Sequence, residues 1–142
     1  MIHVEPQPEP PTFDKMVRQP GLSHLKRSNI SLDQPLPSGT TIEPFWRSCL
    51  EDLYNAYNGV CTYLCVFFER VAGAGSVDHF VAKSRRPGLA YEWDNYRLAC
   101  TTINSRKWIY DDLLDPFAVE NGWFRLELVS GHIYPSPICL RC

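Results

Sequence analysis

Residues 77–107 read VDHFVAKSRRPGLAYEWDNYRLACTTINSRK, and their reading decides the fold. SVDHF ends a predicted strand on Asp78 and His79. Residues 81–94, rich in basic residues and broken by Pro87-Gly88, are expected to form a loop. NYRLAC is expected to be extended, and TTINSRKW to form a short helix beginning near Cys100. Spacing of three along that helix puts Asn104 and Lys107 on one face.

Outward from this stretch, VCTYLCVFFERV at 60–71 is a run of β-formers, expected as a strand on which SVDHF pairs back, with a turn at GAG 73–75. Upstream, Phe45, Trp46, Leu50, Leu53, Tyr54 and Tyr57 follow the stripe of an amphipathic helix, opened by Pro44 and stopped by Asn58-Gly59. Downstream, LLDPF breaks the chain, WFRLELV alternates as a strand, and SGHIY continues it past a turn. Tyr91, Trp93, Tyr96 and Trp108 are assigned to the core. Residues 1–44 hold eight of the twelve prolines, so they are expected to be an extended arm without regular structure. Whether that arm hangs free or docks stays open, although FDKMVRQPGLSHL carries enough apolar residues to dock. The division is thus an arm at 1–44 and a domain at 45–142.

Asp78, His79, Asn95 and Asn104 are the residues that suggest chemistry. Hydrolysis of a phosphodiester needs a water stripped of its proton near neutral pH, which a neutral imidazole can do. It also needs a cation to neutralise charge on the phosphate and on the leaving oxygen. Mg²⁺ takes hard oxygen ligands, and one or two from the protein suffice. Asp78 and Asn104 can supply these, while Asn95 can orient His79 or pin the loop beside it. Each has a plainer reading: a surface Asp-His pair or a satisfied core histidine, an Asx turn at Asp94-Asn95, an amide on a helix surface. His3, His24 and His132 are read as non-catalytic. Asp111, Asp112 and Asp115 are read as capping elements around LLDPF rather than as a second cation site.

Taken together, DHF-x-x-K-S and LAYEWDNYRLAC resemble the HNH (ββα-metal) nucleases. The likeness is greatest to the small HNH partners of Septu-type and retron-associated bacterial defence systems. It covers residues 58–117 and, more loosely, the whole chain. The resemblance implies Asp78 and Asn104 as ligands of Mg²⁺ or Mn²⁺, His79 as general base and Asn95 as the orienting residue. It also implies an α+β fold: a ββα-metal core with the proline-rich arm, one packing helix and a C-terminal β-hairpin. Many relatives carry a zinc ribbon of two C-x-x-C pairs. Here the first pair is spaced wider, at Cys61 and Cys65, and the second keeps Cys100 but has Ile103 in place of its other sulfur. Three thiols do not close a tetrahedron unless Cys139 or Cys142 folds back, so structural zinc is not expected.

The formal net charge of −2 argues at first against a nucleic-acid partner. Residues 78–107, however, hold six basic and three acidic side chains, a local +3 that leaves −5 for the remainder. Lys83, Arg85, Arg86, Arg106 and Lys107 are therefore assigned to phosphate contacts. No apolar run spans a membrane and the first residues do not read as a signal peptide, so a cytoplasmic enzyme with reduced thiols is expected. The expected activity is cleavage of DNA. The alternatives are an RNase, or a binding subunit that keeps the fold and cuts nothing. A domain this small is expected to take its target from a protein partner, an ATPase or a guide-loaded protein.

Overall fold

Alternating side chains give Gly75–His79 (β1) and Tyr96–Cys100 (β2) two faces each, and the strands pair antiparallel with His79 opposite Tyr96 and Gly75 opposite Cys100. Tyr96 and Leu98 enter the main core, whereas Ala99 joins a smaller cluster with Cys61 and Tyr63. The helix α3 (Thr101–Lys107) follows directly. The computed structural model describes residues 3–70, 75–107 and 113–137, and these form a small mixed α+β fold. A second antiparallel pair, β3 (Phe124–Leu126) and β4 (Ile133–Pro135), makes the expected C-terminal hairpin. No helix among the described residues is long and apolar enough to cross a membrane.

The amphipathic stripe at 45–57 is helical as expected, as a tight turn at Phe45–Cys49 followed by α2 (Leu50–Ala56). Asn58 and Gly59 then take left-handed φ angles of 51° and 68°, which ends the helix. Tyr91, Trp93 and Tyr96 are buried, as assigned, while Trp108 lies outside the described residues.

The arm departs from expectation. Residues 3–10 have no regular structure and 11–12 form a turn, but Asp14–Arg18 forms a wide helical turn that runs into α1 (Gln19–Arg27). Pro20 sits in the first turn of α1, where its missing N–H is not needed. Phe13, Val17 and Leu25 are fully buried, and Phe13 stands edge-on to Trp93 and Tyr96 at 5.4 and 5.7 Å. Arg18 ties the arm to Glu9, Asp14 and Glu92. The proline count pointed to an unstructured arm, but the prolines leave FDKMVRQPGLSHL free to bury one helical face.

The segment 60–71 also departs. Instead of a strand, Cys61–Cys65 is a tight turn in which the Cys65 N–H bonds the Cys61 carbonyl at 2.8 Å and Cys65 takes a φ of 55°. Only Val60 and Phe67 bridge across it. The turn is fastened to β2 by Thr62, whose N–H and hydroxyl both donate to Leu98 O. Its side chains do not alternate: Cys61, Thr62 and Tyr63 are buried in succession, which a strand half-covered by solvent cannot do. Hence β1 pairs with β2 and not with residues 60–71. The GAG turn falls partly on residues outside those described.

Candidate active site

His79 closes β1, so its ring is set by the strand and by the loop 80–95 that leaves it. Its Nε2 lies 3.0 Å from Ala90 O. A carbonyl only accepts, so Nε2 carries the proton and Nδ1 keeps the lone pair. Trp46 packs edge-on against the imidazole at 4.7 Å, and Tyr96 at 5.2 Å. His79 is 8% exposed. Burial first, then the positive charges of Lys83 and Lys107, push its pKa down to about 3, against the opposing hydrogen bond to Ala90. The ring is neutral at physiological pH.

The Asn95 side chain makes no hydrogen bond to His79. Its Oδ1 accepts from Val81 N at 2.8 Å, and its Nδ2 donates to Val81 O and Leu89 O at 3.1 and 2.9 Å. The side chain laces the two ends of the loop together, and the loop in turn presents Ala90 O to His79. Of the two roles read from sequence, loop pinning is the one built. No Asx turn with Asp94 is present.

Asp78 is 5% exposed and its Oδ2 is held twice, by Tyr63 OH at 2.6 Å and by Lys107 Nζ at 2.6 Å. The Lys107 ammonium also donates to His79 O and Phe80 O, which uses all three of its protons. Lys107 was assigned to phosphate contacts on the surface; it is turned inward because a buried carboxylate demands a partner. Asn104 Nδ2 donates to Ser76 Oγ at 3.0 Å and to Val77 O at 3.4 Å. Asp78 Oδ1 and Asn104 Oδ1 accept from no group among the described residues. Of the described side-chain polar atoms, His24 Nε2 and Ser136 Oγ are the ones both buried and unpartnered. A carboxylate and an amide oxygen, both uncommitted, suit a hard divalent cation. Among the described residues no group of three or more His, Cys, Asp or Glu side chains could hold a metal ion.

Lys83, Arg85, Arg86 and Arg106 are exposed. Lys83 stands over the Trp46 ring at 5.5 Å, and Arg86 lies 3.7 Å from the exposed Asp33. Arg97, counted in the local positive charge, is instead 3% exposed, bonded twice to Asp115 and stacked on Phe117 at 3.5 Å. Asp115 also accepts from Phe117 N, the capping role read for it, while Asp111 and Asp112 lie outside the described residues. His3 bonds Val119 O, remote from His79 in the chain.

The cysteines read against zinc ligation divide in two. Cys61 packs with Tyr63 and Ala99, and Cys100 and Ile103 close over them. Burial raises the pKa of the Cys61 thiol. Cys139 and Cys142 lie outside the described residues. Sequence reading missed Tyr63 and Trp46 as neighbours of the site. Tyr63 stood in a supposed strand, fifteen residues before Asp78, and Trp46 was absorbed into a helix stripe; neither position carried a signal of its own.

Comparison with known proteins gave no matching family model, no matching curated protein and no matching solved structure.

Proposed function

We propose that the chain is a metal-dependent HNH-type endonuclease that hydrolyses DNA phosphodiester bonds, acting as the nuclease component of a bacterial defence system. One observation carries the reading: a neutral His79 with Nε2–H committed to a carbonyl, which leaves the lone pair on Nδ1, one residue from Asp78. The order β1, loop, β2, α3 agrees with the ββα-metal core that the reading requires.

In the mechanism His79 Nδ1 takes a proton from water, and the water oxygen attacks phosphorus in line with the P–O3′ bond. That bond breaks, and the 3′ oxygen leaves and is protonated from solvent. Asp78 and Asn104 would hold a divalent cation, which supplies charge neutralisation at the phosphate and the leaving oxygen. Asn95 fixes the loop so that Ala90 O holds the imidazole in one tautomer. A phosphate brought beside His79 favours the protonated ring, which raises its basicity towards neutrality. Lys83, Arg85, Arg86 and Arg106 supply the positive rim for the backbone. Target choice comes from a protein partner.

Plasmid nicking with and without Mg²⁺, run beside an RNA hairpin as substrate, tests this. Wild type should nick DNA only with metal, and His79→Ala should lose about 10²–10⁴-fold in rate while still binding DNA. Wild-type nicking rates in His79→Ala would remove His79 as the base. A second reading, a binding subunit that cuts nothing, is favoured by the Lys107 ammonium already seated on Asp78. DNA binding without metal-dependent nicking would establish it.

A further inference from the structure

We propose that Tyr63 is a positioning residue that commits Asp78 to binding a divalent cation through a single oxygen, Oδ1. The proposal rests on the reading of Asp78 as a metal ligand. A carboxylate has two oxygens, and a cation can take one or both. Here Oδ2 receives two short bonds, from the Tyr63 hydroxyl and the Lys107 ammonium, each at 2.6 Å. An oxygen so engaged has little left for a metal, whereas Oδ1 accepts from no described group. Lys107, held by the carbonyls of His79 and Phe80, shares in this choice, but its ammonium divides among three acceptors whereas the one proton of the Tyr63 hydroxyl goes to Oδ2.

Tyr63 is itself held in place. It is 5% exposed, and Thr62 beside it is clamped twice to Leu98 O of β2. The turn Cys61–Cys65 therefore does more than fill space under the sheet: it delivers one hydroxyl to one carboxylate oxygen. A carboxylate oxygen can only accept, so the Tyr63 hydroxyl is the donor of this bond. Single-oxygen ligation leaves most of the coordination shell to water and phosphate, which suits Mg²⁺.

The test measures Mn²⁺ binding to the full chain by electron paramagnetic resonance, with the Mg²⁺ dependence of nicking alongside. Tyr63→Phe keeps the ring and removes the donor. It should weaken Mn²⁺ about tenfold, the loss typical when a ligand's supporting hydrogen bond is removed. The Mg²⁺ concentration for half-maximal nicking should rise in parallel, with the rate at saturating metal largely kept. A purely structural role would lower thermal stability and leave Mn²⁺ affinity alone, and that result overturns the proposal. So does a wild-type chain that binds no Mn²⁺. If wild type binds Mn²⁺ but does not nick, the nuclease reading falls while a weaker Tyr63→Phe isotherm still supports this one. Should Tyr63→Phe not fold, the Tyr63 hydroxyl proton in the wild-type NMR spectrum answers instead. Its signal should persist when Mg²⁺ is added, and loss of the signal on metal binding overturns the assignment.

Discussion

At His79 two requirements pull against each other. The ring must be held still, which needs burial against Trp46 and Tyr96, yet burial lowers its basicity. The same shift makes stability depend on pH. The folded pKa lies below the unfolded value near 6.5, so in acid the unfolded chain binds the extra proton. Stability from this residue is complete above about pH 6.5 and is lost as pH falls towards 3. Unfolding midpoints across that window should fall for wild type and fall less steeply in His79→Ala; parallel curves would mean the ring titrates normally. The clustering of Asp78, His79, Asn95 and Asn104 was legible from residue order, since they lie along one short stretch. Tyr63 was not, because a hydroxyl reaches Asp78 only after a turn that nothing in VCTYLC announces.

Among the elements, the loop 80–95 decides whether the site exists at all. It leaves β1 at the base and returns into β2, and Asn95 is the side chain that laces its ends. Asn95→Ala removes three hydrogen bonds and strands the Val81 N–H. At about 1 kcal/mol each the loss should be roughly 2–4 kcal/mol in chemical denaturation, with faster amide exchange through residues 81–90. A change under about 0.5 kcal/mol would show that the lacing is dispensable. Strands β1 and β2 and helix α3 could be read from alternation and spacing. The helical turn after Phe13 could not, because the prolines dominate the composition there and hide an i, i+4 pair, Phe13 and Val17. Helix α1 also lies close on the loop: a Cβ at Gly21 would overlap the Tyr91 ring, so the helix fits flush behind Ala90.

For the whole molecule the core and the hairpin β3–β4 stand in contrast. The core gathers residues from the arm, α2, β1, β2 and the loop between the strands, whereas Leu128 and Val129 at the hairpin turn are 86% and 96% exposed. Leu128→Asp with Val129→Asn should therefore leave the unfolding free energy within about 0.5 kcal/mol of wild type. It should also reduce self-association in sedimentation, since exposed apolar clusters favour contact between molecules. A large loss of stability would mean that the hairpin turn is covered by other parts of the chain.

The seating of Phe13 between Trp93 and Tyr96 sets a schedule for synthesis. The ribosome delivers Phe13 and Val17 early, and some eighty residues more must emerge before the rings that enclose Phe13 are available. At roughly 5–20 residues per second that is a wait of several seconds. Through that interval the arm has nothing to pack against, and the Ala90 carbonyl that fixes the His79 tautomer is among the last of these groups to be made. The surroundings of His79 therefore close only after the residues through Tyr96 have been made.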